Sequence, residues 1–316
     1  MDKKQNSKIF LTGHKGMVGA SIYRHLAHLG YKNILTRSKE ELDLRNQAAV
    51  NEFFREEKPE YLFIIAAKVG GISANMKYPA DFLYDNLMIQ ANLIQSAYET
   101  NVKRIVFLGS SCIYPKDCPQ PMKEEFLLTG PLEPTNEGYA IAKIAGIKLL
   151  EYFKKQRNLD YLSIMPSNLY GPGDSFHPEH SHVLSANVKR FVDAVHDGAK
   201  EVTMWGTGVA KREFLHVDDL ARILLELFDK DYNVTSFINI GTGKEISIKE
   251  LAIKIADFSG YKGKIHWDAS KPDGMLRKCM DVGKMNALGL SANISLDEGI
   301  LELINIYKES KQGQKK

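Results

Sequence analysis

Tyr139 and Lys143 stand four residues apart, so a helix would carry both on one face. A tyrosine with a pKa near ~10 exchanges protons poorly at neutral pH unless an ammonium group stabilises its phenolate. Lys143 could supply that charge. Many helices carry such a pair by chance. The pair gains meaning from Ser110 and Ser111, which follow the apolar run ending at Gly109, where a parallel sheet would present its ligands. A serine hydroxyl there could orient a substrate oxygen, and Cys112 would share the neighbourhood. Thiol and imidazole both titrate close enough to neutrality to act as acid or base. His177, His180 and His182 crowd the aperiodic segment Asp174–His182, which reads as a functional loop. Their chemistry alone does not choose among them. Nor does residue type separate a catalytic Cys112 from a packed one, because cysteine is among the most buried residues.

Gly13, Gly16 and Gly19 follow the first apolar run as G-x-x-G-x-x-G. Glycines allow a tight strand-to-helix turn and bring backbone N–H groups close to a pyrophosphate, while the helix N-terminus adds partial positive charge. The spacing departs from G-x-G-x-x-G, and such a triplet also fits an ordinary helix-opening turn. Its place after the first strand of a βαβ series favours nucleotide binding. An NAD site would put Asp or Glu at the end of the second strand, to accept from the ribose 2′-OH. This chain instead reads Thr36-Arg37-Ser38-Lys39, and Arg37, Lys39 and the loop residue Lys15 suit a 2′-phosphate better than a solvated turn. The expected cofactor is NADP(H).

These residues need a scaffold, and the chain spells one. Short apolar runs at Lys8–Thr12, Asn33–Thr36, Tyr61–Ala67, Arg104–Gly109 and Tyr161–Pro166 read as strands. Between them Val18–Leu29, Gln47–Glu56, Pro79–Glu99 and Tyr139–Arg157 have helical period. Such alternation predicts a Rossmann-type, doubly wound parallel sheet in an α/β fold, its strands apolar on both faces. Further on, Val183–His196 and Asp218–Phe228 read as helices, Glu201–Trp205 as a strand, and Phe237–Ile240 as a strand returning to the sheet. Helix Ile248–Ser259, a strand near Ile265–Asp268 and a final helix Leu296–Tyr307 suggest a smaller α+β region that supplies a substrate lid. The expected division is residues 1–173, with 214–241 returning, for the cofactor, and 174–213 with 242–316 for the substrate.

Composition sets the limits. The 316 residues are 44% hydrophobic and 26% charged, which disfavours disorder and coiled coil. A net charge of +3 is too mild to predict a nucleic-acid or membrane partner. The polar start at Met1–Lys8 is not a signal peptide, and Tyr61–Ala67 is far too short to span a bilayer. Lys311–Lys316 reads as a solvated tail. Cys112, Cys118 and Cys279 form no CxxC pair and are odd in number, which fits a reduced, cytoplasmic setting better than a disulfide framework. No metal site is expected, and Cys118 and Cys279 read as structural or incidental thiols.

The motifs together resemble the extended, sugar-nucleotide-modifying branch of the short-chain dehydrogenase/reductase superfamily. The stretches that carry the resemblance are Gly13–Gly19, Ala67–Ile72, Gly109–Pro115, Leu132–Lys143, Ser167–Pro172, Arg212–Asp219 and Lys271–Gly274. They cover nearly the whole chain. The resemblance implies epimerisation at C3 and C5 of GDP-4-keto-6-deoxy-D-mannose, then NADPH-dependent reduction at C4. It implies Cys112 as base, His182 as acid, and Tyr139 as proton donor for the reduction, assisted by Lys143 and Ser110. It extends cofactor contacts to His14, Met17, Val18, Leu108, Gly109, Ser111, Pro166, Ser167, Asn168, Leu169 and His182. For the sugar nucleotide it implies Arg190, Trp205, Arg212 and Asp273, and for Pro79–Glu99 with Tyr139–Arg157 a homodimer interface. From residue type alone, Trp205 could equally be a core side chain and Arg190 a solvent-facing one.

Alternatives remain on sequence grounds. A sibling enzyme of GDP-colitose or GDP-heptose synthesis would share the motif set. A dehydratase would carry a Thr-Asp-Glu acid pair where this chain has Ser110-Ser111-Cys112. An NADP-sensing protein would not need the five catalytic candidates together. A cysteine hydrolase using Cys112 and His182 would leave the phosphate loop unexplained.

Overall fold

The computed structural model describes residues 3–313 apart from 178–180, 231, 233–235 and 272. The candidate His180, Pro272 of the Lys271–Gly274 stretch and the tail residues 314–316 therefore lie outside the described residues. The first half of the chain alternates strand and helix as expected. In order come β1 (Ile9–Leu11), α1 (Met17–His28), β2 (Ile34–Leu35), α2 (Gln47–Glu57) and β3 (Tyr61–Ile64). They are followed by α3 (Ile72–Lys77), α4 (Pro79–Glu99), β4 (Arg104–Leu108), α5 (Glu137–Arg157) and β5 (Tyr161–Pro166). Later come β6 (Asn168–Tyr170), α6 (Val183–His196), β7 (Glu201–Trp205), β8 (Lys211–His216), α7 (Val217–Asp229) and β9 (Phe237–Ile240). The chain ends with β10 (Glu245–Ser247), α8 (Ile248–Ser259), β11 (Lys264–Asp268), β12 (Arg277–Lys278), α9 (Gly283–Ala287) and α10 (Leu296–Gly313).

Six strands form one parallel sheet in the order β2-β1-β3-β4-β5-β9. Chain order reverses beside β1, which opens a crevice at the carboxyl ends of β1 and β3, where such sheets hold ligands. Both faces are covered. Ile9 and Leu11 enter one apolar cluster with α1 and α7, while Phe10 between them enters another with α2, α4 and α5. That alternation explains why the strands read as unbroken apolar runs. A third cluster joins α6, α8 and α10 through Leu184, Phe191, Leu251, Ile255 and Ile304, with Tyr170 and Phe214 from β6 and β8. It belongs to a smaller α+β region whose short strands run β10-β8-β12, with β6 on β8 and β11 beside β7.

Some boundaries moved for identifiable reasons. The expected strands Lys8–Thr12 and Tyr61–Ala67 stop short because Thr12 ties their ends together. Its buried hydroxyl donates to Phe63 O at 2.9 Å and accepts from the N–H groups of Ile65 and Ala66 at 3.0 and 3.1 Å. The last helix continues beyond Tyr307 to Gly313, and Lys311 is no solvated tail residue: its Nζ pairs with Asp193 at 2.6 Å. Among the described residues no helix is long and apolar enough to cross a membrane, and no group of three or more His, Cys, Asp or Glu could hold a metal ion.

Candidate active site

The glycine loop leaves β1 and opens α1. Gly13 has φ +73°, and a Cβ there would lie 2.8 Å from Ala66 N. A Cβ at Gly19 would run into the carbonyl oxygen of Gly13, so two of the three glycines are required by close backbone approach. Beside the loop lies a cleft of about 520 Å³, lined by Gly13, His14, Lys15, Gly16, Arg37 and Lys39 among others. Leu42, Leu44 and Ile89 give it an apolar wall. His14 contributes a buried Nδ1 with no hydrogen-bond partner among the described residues. Arg37 is not a free cation. Its guanidinium pairs with Glu57 at 2.8 Å and lies over the Phe53 ring at 5.1 Å, which fixes the group at the cleft wall. Sequence patterns missed the opposite wall, where Arg45 bridges Asp43 at 2.6 Å and Asp85 at 3.0 Å, and Lys68 reaches Asp85 at 2.9 Å. Asp85 comes from α4, forty residues downstream of Arg45, so only the fold joins them. The side chains present fit a dinucleotide with an extra phosphate: a glycine cradle, an apolar wall and cations at the rim.

At the end of β4 the chain turns through a short 3-10 helix, Ser111–Ile113, and α5 packs against it. Ser110 Oγ accepts from Cys112 N at 3.4 Å and from the Cys112 thiol at 3.2 Å. Tyr139 and Lys143 arrive on one face of α5, and Lys143 Nζ lies 5.8 Å from the Tyr139 ring centroid. Lys143 is 3% exposed and donates to Leu108 O at 2.7 Å. Burial draws its pKa from the usual value down to about 8, against the pull of the Cys112 thiol. Burial, followed by the neighbouring Cys112, pushes the Tyr139 phenol well above its ordinary value, and Ser110 opposes the shift by hydrogen bonding. Tyr139 therefore keeps its proton at neutral pH. Cys112 departs from the expectation of near-neutral titration. Burial pushes the thiol up, while Lys278, Ser110 and Lys143 pull it down in that order.

Lys278 was not singled out from the sequence. Strand β12 pairs with β8 so that Lys278 lies opposite Arg212, and Cys279 is tied to the loop after Cys112 by its N–H to Gln120 Oε1 at 2.9 Å. Burial lowers the pKa of Lys278, and the Cys112 thiol counters it. A two-residue strand followed by a loop carries no periodic signal. Glu213 was missed as well. Fully buried, its carboxylate accepts from the N–H groups of Thr242, Gly243 and Met280 at 2.5, 3.0 and 2.7 Å and ties three segments together.

The candidates for the sugar nucleotide gather in the smaller region. Arg190 on α6 is half-buried, lies 3.2 Å from Met204 Sδ, and makes no ion pair among the described residues, so it is not a solvent-facing arginine. Burial lowers the pKa of both Arg190 and Arg212, and Asp273 opposes this at Arg212. Trp205 ends β7 with 67% exposure, which removes the core alternative. Asp273 holds the loop after Trp205, accepting from Thr207 N at 2.7 Å and Thr207 Oγ1 at 2.8 Å. Pro166 and Ser167 close the sheet against Ile240, with Ser167 N donating to Ile240 O at 2.9 Å and Ser167 Oγ without a partner among the described residues. Asn168 is spent partly on structure, donating to Glu213 O at 2.7 Å, and Leu169 packs on the core. His182 stands at the start of α6, its Nδ1 3.1 Å from Asp174 Oδ1, and that hydrogen bond raises its pKa.

The family model for the NAD dependent epimerase/dehydratase family matches residues 9–241. The chain is 52% identical to GDP-L-fucose synthase 1 of Arabidopsis thaliana, over 96% of this chain and 94% of that protein. Among solved structures, a GDP-6-OMe-4-keto-L-xylo-heptose reductase from C. jejuni superposes with a TM-score of 0.90 at 35% identity, covering 97% of this chain and 99% of that one. A GDP-L-fucose synthetase from Naegleria fowleri bound to NADP superposes with a TM-score of 0.90 at 27% identity, covering 99% and 96%. The chain belongs to the NAD dependent epimerase/dehydratase family, and within it groups with the GDP-L-fucose synthases.

Proposed function

We propose that the protein binds NADP(H) and converts GDP-4-keto-6-deoxy-D-mannose to GDP-L-fucose, inverting C3 and C5 before reducing C4. The observation that carries this is the meeting of half-buried Ser110 and Tyr139 with buried Cys112 and Lys143 at the carboxyl end of β4. The 4-ketone makes the protons at C3 and C5 acidic, and Cys112, as thiolate, takes them. The ammonium groups of Lys278 and Lys143 favour that thiolate. His182 returns protons from the opposite face. Bound NADPH supplies the hydride for C4. Tyr139 gives its proton to the resulting alkoxide, for which a phenol that resists ionisation is suited because it holds the proton until a stronger base forms. Ser110 orients the carbonyl oxygen, and Arg190 and Arg212 take the diphosphate, with Trp205 beside the guanine and Asp273 holding its loop.

Residues 1–173 and 214–241 would form the cofactor body, and 174–213 with 242–316 the substrate body. The separate apolar cluster on α6, α8 and α10 supports that division. A homodimer through α4 and α5 is supported by Tyr84, Ile141 and Tyr152, exposed at 62%, 42% and 58%. A mass from light scattering equal to one chain would refute it. Three unpaired thiols, one of them in the site, support a reducing cytoplasm as the workplace. Two variants test the division of labour. Cys112→Ser should abolish solvent-deuterium uptake into the sugar, and Tyr139→Phe should spare uptake but stop NADPH oxidation. Undiminished uptake in Cys112→Ser would remove Cys112 as the base.

A further inference from the structure

We propose that Asp174 is the positioning residue of the acid: it holds His182 by Nδ1 so that the proton leaves from Nε2. This rests on His182 being the proton donor of the epimerisation. His182 occupies the N-cap of α6, a place usually taken by Ser, Thr, Asp or Asn, yet its ring caps no helix N–H. Instead Nδ1 lies 3.1 Å from Asp174 Oδ1. The side chain of Asp174 is 3% exposed and that of His182 56%, so a sheltered carboxylate holds a ring that faces outward. The carboxylate has little freedom to turn away. Oδ1 also accepts from Ser175 N at 2.8 Å, and Oδ2 accepts from the hydroxyl of Ser185, itself fully buried in the first turn of α6. The helix N-terminus beside it favours the negative charge.

The consequences follow from imidazole chemistry. Donation from Nδ1 to the carboxylate fixes the tautomer of the neutral ring and stabilises the imidazolium, leaving Nε2–H as the only proton free to transfer. In the step, the Nε2–H bond breaks, the enediolate π pair forms the new C–H bond, and His182 is left neutral with Nδ1–H still on Asp174. Among the described residues Asp174 is the charged group whose field reaches His182, and its bond keeps the ring protonated to higher pH than an ordinary histidine. A purely structural role for Asp174 would amount to tying the 174–175 turn to α6 through Ser185.

The test is the titration of the His182 ring, followed by NMR of the full-length protein labelled at histidine Cε1 and assigned with His182→Gln. In Asp174→Asn, which keeps shape and an acceptor but loses charge, the ring should titrate about one pH unit lower, a tenfold loss of proton affinity. The alkaline limb of solvent-deuterium uptake should move down with it. Asp174→Glu should retain the raised value, and Ser185→Ala, which removes one of the bonds that hold the carboxylate but not its charge, should move the limb less than Asp174→Asn does. An unmoved ring titration in Asp174→Asn, or a limb that follows Ser185→Ala instead, overturns the proposal. If His182→Gln retains full uptake, His182 is not the acid and the proposal falls with it. If His182→Gln loses uptake while Asp174→Asn changes neither titration nor limb, only the role of Asp174 fails.

Discussion

Replacing Lys143 by methionine should change how stability depends on pH. The ammonium is 3% exposed, with Leu108 O at 2.7 Å as its hydrogen-bond acceptor, and burial brings its pKa from 10.5 to about 8. Unfolded, the same lysine keeps its ordinary value. Between those two values the unfolded chain binds a proton that the folded chain does not, so stability rises with pH across that window, by up to about 1.4 kcal/mol per pH unit. Below it the folded protein carries the whole burial cost, about 3 kcal/mol. Methionine has no such cost but leaves Leu108 O without its donor, a loss of about 1–3 kcal/mol. At neutral pH the two proteins should therefore be close in stability, and the wild type should gain roughly 2–3 kcal/mol on the variant by about pH 10. Urea unfolding of both proteins across that range gives the difference directly. A difference that is flat with pH, or one that moves against the wild type as pH rises, would refute the buried-ammonium account. The variant should also lose hydride transfer by about a hundredfold or more.

Three other substitutions address separate parts of the structure. Arg37→Ala should weaken NADPH binding by about tenfold or more while leaving NADH binding unchanged, as read by fluorescence titration of each nucleotide. Gly19→Ala drives a Cβ into the Gly13 carbonyl and should cost about 1–3 kcal/mol in thermal unfolding, with weaker cofactor binding. Glu213→Gln can accept at only one of the two oxygens that now serve three N–H groups, and should cost about 1–3 kcal/mol. Its solvent-deuterium uptake into the sugar should slow as well, because Met280 N anchors the segment that carries Lys278, the cation that favours the Cys112 thiolate.

The fold was legible where period and length agree. Helix Pro79–Glu99 and strand Tyr161–Pro166 match the expected bounds, since long amphipathic or fully apolar segments leave few choices of register. Strands β6, β10 and β12 went unread because two or three residues carry no period, and pairing with β8 alone makes them strands. The same contrast holds in the site. Tyr139 with Lys143 and the Gly13–Gly19 loop are local patterns, visible along the chain. Lys278 beside Cys112, Glu213 against the Thr242–Gly243 and Met280 segments, and Arg45 against Asp85 are meetings of distant residues, fixed by packing. Asp174 and His182 sat in one candidate loop, but nothing in residue type told which histidine the carboxylate holds. The upward shifts of Cys112 and Tyr139 could not be read from the chain, because burial raises both groups and burial is not a property of the sequence pattern.

The central claim is that one site epimerises C3 and C5 and reduces C4. It is tested most directly by incubating the purified protein with NADPH and a panel of GDP-4-keto sugars in deuterated water, following NADPH oxidation and the NMR spectrum of each product. The account predicts oxidation with GDP-4-keto-6-deoxy-D-mannose and a product inverted and deuterated at C3 and C5, GDP-L-fucose. A reduced product without inversion, or turnover confined to a heptose or colitose precursor, would contradict it.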